Sequence, residues 1–162
     1  MDAAQRKEKI ELYGRGYDQL SATLDNIPKE MWQFKPEPTA WSVHEIIIHL
    51  ADSETNSSLR ARQFVAQPGA AVMAFDQDVW ANKLDYHQQD WQDALEILRL
   101  TRKSTYELLI TLPEDVWTNS VIHPEIDQPF RFERWLEIYS GHIPSHIEQI
   151  NNNHKLWLAS QA

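Results

Sequence analysis

Four stretches of this chain repeat their apolar residues at the three-and-four spacing that lines one face of an α-helix. From about 4 to 26 the stripe is Ile10, Tyr13, Tyr17, Leu20 and Leu24, weakened locally by Gly14 and Gly16. From 42 to 65 it is Ile46, Ile47, Leu50, Leu59 and Phe64, and it begins on a capping box, Ser42 with Glu45 three residues on. From 90 to 112 it is Trp91, Leu95, Leu98, Thr105, Leu108 and Leu112, and from 131 to 158 it is Trp135, Ile138, Tyr139, Ile150 and Trp157. Proline-bearing connections separate these stretches, and no strand alternation competes with them. The pattern predicts an all-α four-helix bundle, one domain spanning 1–162. The connection at 67–89 is long for a compact domain, which makes it a candidate functional loop.

Histidines interrupt two of these stripes. His142 and His146 continue the line of Trp135, Ile138 and Tyr139, so both point into the bundle, where side chains four apart stack at about 5–6 Å. His49 follows Ile46 by three, and the same face continues through Ser53 and Asn56, turning from apolar to polar. A packed core does not tolerate such a face without polar partners, whereas the wall of a cavity does. Three neutral imidazoles on one side of an ion leave coordination positions open, as in catalytic metal sites. The alternative stays open: His142 and His146 hydrogen-bond each other or backbone carbonyls, and His49 meets Tyr139 or water. His44, His87 and His154 read as surface groups. Pro144 removes one helical hydrogen bond between the paired histidines; it is either a kink tolerated on the solvent side, since 143–145 face away from the stripe, or a device that sets the angle between the rings.

Composition narrows the chemistry. The chain has 162 residues, no cysteine and a formal charge of −9. Disulfides and a thiol nucleophile of the protein's own are excluded, and a basic stripe for nucleic acid is missing. No apolar run approaches the length of a membrane span and the start lacks a signal-peptide pattern, so a cytoplasmic protein is expected.

These residues resemble the DinB-like superfamily, most closely its YfiT branch of metal-dependent hydrolases and bacillithiol transferases. "WSVHEIIIHLADSE" at 41–54 is similar to the family's W-[ST]-V-x-x-x-x-x-H-L-A-D-S pattern, "FDQDVWA" at 75–81 to its central loop, and "HPE" at 123–125 with "YSGHIPSHIEQI" at 139–150 to its closing segment. The resemblance covers nearly the whole chain. It implies up-down-down-up connectivity, a divalent ion (zinc or nickel) on His49, His142 and His146, and a homodimer. At 144–145, where relatives often carry His or basic residues, this chain has Pro and Ser.

The expected chemistry follows from the site. Three histidines around a divalent ion lower the pKa of a bound water to about 7. Ile143 stands where the metalloprotease helix has its glutamate base, so peptide hydrolysis is disfavoured. A thiol needs no such base, because a metal ion deprotonates it outright. This fits what the resemblance implies, a thiol S-transferase acting on a small-molecule thiol and an electrophile, and it suits a chain with no cysteine of its own. The alternatives are a hydrolase of a small amide or ester and a non-catalytic metal- or ligand-binding protein of the stress response. Ser53, Asn56, Asp76, Trp80 and His123 are the further pocket candidates, with Trp80 also readable as a loop anchor.

Overall fold

The computed structural model describes residues 1–161. In chain order it contains α1 (Ala3–Leu24), α2 (Val43–Ala66), a short α3 (Gln77–Lys83), α4 (Trp91–Leu109) and α5 (Phe132–Ser160). A minimal hairpin, β1 (Ser120–Val121) with β2 (Phe130–Arg131), precedes α5. The four long helices fall on the four apolar stripes to within three residues at each end. Ser42 caps α2 as its capping box predicts: its Oγ accepts from the Glu45 amide at 3.2 Å, and Glu45 accepts from the Ser42 amide at 2.8 Å.

Side-chain pairs fix the topology. Along α1 and α4, Glu11 meets Tyr106 while the Tyr13 carbonyl meets Arg102, so these two run antiparallel. Along α2 and α4, Glu54 meets Arg102 and Ser58 meets Thr105, so these run parallel. On α5, Glu133 meets Arg6 near the start of α1, and Trp135 donates to the Ser57 carbonyl in the second half of α2. His142 lies beside His49 and Asn153 reaches the Trp41 carbonyl, so α5 runs against α2 and along α1. The result is an up-down-down-up four-helix bundle. Because α2 and α4 are parallel, the chain must return the length of α2, about 36 Å at about 1.5 Å per residue over 24 residues. The long connection is therefore required by topology, whatever else it does.

The structure shows why two glycines sit in α1. A Cβ on Gly14 would come within 2.7 Å of the Tyr106 ring, and one on Gly16 within 2.8 Å of the Arg102 guanidinium. Close approach of α4 offsets the helix-weakening effect of glycine. Arg102 then reaches the middle of the bundle, where it and Glu54 are each 1 % exposed and 2.6 Å apart. It also donates to the Tyr13 and Tyr139 carbonyls at 2.8 and 3.2 Å, while the Tyr13 hydroxyl donates to Glu54. Burial, then the Glu54 charge, push the Tyr13 phenol well above its usual pKa, so it stays a donor.

Several side chains depart from the stripe reading. Ile138 and Leu59, expected inward, are 39 % and 57 % exposed. Ile143, expected outward, is fully buried, and Pro144 is half-buried inside a helix that continues through it. The reason is that α5 packs against both α1 and α2, so its buried face is wider than one seam and the histidines occupy only its α2 side. His44, expected on the surface, is buried, with Gln33 and the Gln89 carbonyl at its two ring nitrogens at 3.1 and 2.8 Å. Connecting segments cover the start of α2, so residues 43–51 are buried on every side. His87 and His154 are half-buried rather than free on the surface.

Candidate metal centre

Antiparallel packing of α2 on α5 brings His49 level with His142 and His146. The Nε2 atoms of His49 and His142 stand 3.3 Å apart, and those of His146 and His142 3.2 Å apart. One ring nitrogen from each of the three lies within 4.8 Å of the others, and among the described residues no carboxylate joins the group. Nitrogen ligands held at about 2.0–2.1 Å in a tetrahedron stand roughly 3.3–3.4 Å apart, so the spacing suits one divalent ion. The donor set suits it too: each neutral imidazole has one lone pair to give, and one nitrogen of each lies close to those of the other two.

The surroundings keep these rings neutral. Burial is the largest influence on His49 and holds it down to about 2, with His146 and His142 adding to the effect. Burial, His146 and then Arg102 hold His142 down to about 3. His146 is also lowered by burial, and its Nδ1 meets Gln149 Oε1 at 3.0 Å, which fixes the ring with Nε2 inward. The Nδ1 of His49 is enclosed and has no partner. Trp41 packs on His49 at 4.6 Å and lies parallel to His146 at 6.4 Å. Phe75, from the long connection, stacks on His49 at 6.2 Å and is itself held by Trp80 at 4.8 Å.

One pH dependence follows. Below about 6.5 the unfolded chain protonates these histidines while the folded metal-free chain does not, so unfolding takes up as many as three protons. Stability of the metal-free protein is expected to fall as pH drops from about 6.5 toward about 3. Urea titrations across that range should show a shallower fall for a His49→Leu, His142→Leu double variant. Equal slopes would contradict the buried, neutral assignment.

The other pocket candidates separate by position. Ser53 lies one turn beyond His49, beside the Tyr139 phenol. Asn56 is buried, but its amide donates back to the Asp52 carbonyl at 2.9 Å. Asp76 is exposed and caps α3, accepting from the Asp78 and Val79 amides, a structural duty. Trp80 acts through Phe75 and also packs on the core. His123, between the strands, packs edge-on to Phe130 at 5.5 Å and is not among the converging nitrogens. Trp41, Phe75 and Gln149 were not singled out from sequence. All three lie inside the matched motifs, where a signal was available, and Gln149, three residues after His146, was also readable as a ring-orienting partner.

A four-helix bundle in which α2 and α5 bring three imidazoles together is a scaffold that could hold a metal ion between helices. The chain belongs to the DinB superfamily, whose family model matches residues 12–150. Among curated relatives it is similar to "Putative metal-dependent hydrolase YfiT" of Bacillus subtilis, 27 % identical over 68 % of this chain and 62 % of that one. A Bacillus licheniformis protein with the same description is 25 % identical over 71 % of this chain and 65 % of its own. The matched part is thus less than two thirds of either relative's length. The solved structure of Bacillus subtilis YfiT, described as a probable metal-dependent hydrolase with an unusual four-helix bundle topology, superposes with a TM-score of 0.87. It is 21 % identical, and the match covers 96 % of this chain and 89 % of that one. No helix among the described residues is long and apolar enough to cross a membrane.

Proposed function

We propose that this chain is a metal-dependent enzyme that joins a small thiol to an electrophile, with His49, His142 and His146 as the ligands of a zinc or nickel ion. The observation that carries the reading is the convergence of three neutral imidazoles with no carboxylate among them. A bound divalent ion supplies Lewis acidity, lowering the pKa of a coordinated thiol or water. The protein's own part is positional. His49 is held from α2 and the other two histidines from α5, Gln149 orients His146, and Trp41 with Phe75 forms an apolar wall that limits water on one side. With no cysteine in the chain, the thiol of this reading has to arrive with the substrate.

A second reading, hydrolysis of a small amide or ester, is favoured by the descriptions of the relatives. Zinc- or nickel-loaded protein mixed with monochlorobimane and a panel of cellular thiols separates the two. In transfer a sulfur–carbon bond forms, the carbon–chlorine bond breaks, chloride leaves with the electron pair and the thiol proton passes to solvent. The transferase reading predicts thiol-dependent fluorescence above that of a His49→Ala control. Hydrolysis of small esters without thiol, lost in the same control, would put the hydrolase reading first. Metal binding with neither activity would leave a binding protein.

A further inference from the structure

Three arginines are buried in this bundle, and two of them have carboxylate partners. Arg102 pairs with Glu54, and Arg6 pairs with Glu114 and Glu133. Arg60, on α2 and 7 % exposed, is different. Among the described residues no carboxylate lies within 4.0 Å of it. Its Nη2 donates to the Met73 carbonyl at 2.6 Å and its guanidinium also hydrogen-bonds the Tyr139 hydroxyl, which leaves the rest of its five N–H donors for a further acceptor. A buried cation without a counter-charge is costly to keep unless a partner arrives from outside the chain.

Its position says which partner. His49, Ser53, Asn56 and Arg60 are spaced four, three and four apart on α2, so they share one face. The Tyr139 phenol, three residues before His142, sits beside both Ser53 and Arg60. The connection after α2 follows the same face, with Met73 on Arg60 and Phe75 on His49. The Arg60 charge also acts on His123, whose Nδ1 accepts from the Glu125 amide at 3.3 Å. A guanidinium with free donors, one polar face away from the three histidines, matches an acceptor with two oxygens.

We propose that Arg60 is the anion-recognition residue of the three-histidine site and that it binds a carboxylate carried by the substrate at the end away from the reacting atom. Carboxylate is preferred to phosphate because Arg60 is the one buried arginine among the described residues without a carboxylate partner, a single unpaired cation that matches a single negative charge. The proposal deepens the functional reading above and rests on it for the location of the reacting end.

The test uses two probes that differ only in charge, 6-mercaptohexanoate and 6-mercaptohexanamide, titrated calorimetrically into wild type, Arg60→Gln and Arg60→Lys. Each protein is measured with bound Co²⁺ and again after metal removal. Wild type should bind the carboxylate about tenfold more tightly than the amide. Arg60→Gln should lose that preference while keeping the affinity for the amide, and Arg60→Lys should keep part of it in a folded protein even if the glutamine variant unfolds. No preference in wild type, or one that survives in Arg60→Gln, would overturn the proposal. So would tighter binding of 6-mercaptohexyl phosphate than of the carboxylate. If the visible spectrum shows that Co²⁺ does not sit on histidine nitrogens, the metal reading fails, while the charge preference of the metal-free protein still decides the role of Arg60.

Discussion

Replacing Arg102 with methionine is expected to lower the unfolding free energy by about 3–5 kcal/mol, the largest single effect in this molecule. The guanidinium joins three helices besides its own: α1 through the Tyr13 carbonyl, α2 through Glu54 and α5 through the Tyr139 carbonyl. Methionine fills much of the volume but leaves Glu54 as an enclosed carboxylate with only the Tyr13 hydroxyl for a partner. The cost comes from breaking the pair rather than from the pair's net worth, and that distinction can be measured. The double change Arg102→Met with Glu54→Leu removes both charges and should recover most of the loss. Urea midpoints for the two single variants and the double variant complete the cycle. A loss under 1 kcal/mol for Arg102→Met would mean that the buried pair does not organise the core.

Removing one imidazole should have the opposite profile, a small effect on the fold and a large one on metal binding. In His142→Ala the vacated space opens toward the partly exposed side of the site, so the metal-free protein should stay folded, with a midpoint close to that of metal-free wild type. Two nitrogens remain, and the affinity for Zn²⁺ should fall by at least about 100-fold. Stability should follow that loss. An ion present at about 1,000 times its dissociation constant stabilises wild type by about 4 kcal/mol, and the variant, for which the same concentration is at most about 10 times its dissociation constant, should gain no more than about 1.4 kcal/mol. Thermal unfolding with and without Zn²⁺ reads both quantities. An equal metal-induced shift in both proteins would place the ion elsewhere.

The parts of this architecture that were legible in the sequence are those with a local period. Four stripes predicted four helices, and the two histidines four apart, with His49 on a second stripe, marked the faces that meet. The order of the helices has no local signal, and the up-down-down-up arrangement came from resemblance rather than from periodicity. Arg102 and Glu54 stayed hidden for a different reason. Both lie on buried stripes, Arg102 between Leu98 and Thr105 and Glu54 beyond Leu50 and Ala51, but a reading that seeks apolar residues passes over a charge placed among them. A charge at such a position was the available signal. The face of α5 was drawn too narrow because one stripe suits a helix with one neighbour, and α5 has two. His44 was misplaced because coverage by Gln33 and the Gln89 carbonyl comes from distant parts of the chain, beyond the reach of any local pattern.

We propose above that three histidines from two antiparallel helices bind one metal ion. The most direct measurement is a Co²⁺ titration of metal-free protein followed by its visible absorption, alongside the His49→Ala, His142→Ala and His146→Ala variants. One Co²⁺ per chain is expected in wild type, with ligand-field bands that saturate sharply at that ratio and weaken or vanish in each variant. Saturation at the same ratio and with the same spectrum in all three variants, or no saturable binding in wild type, would contradict it.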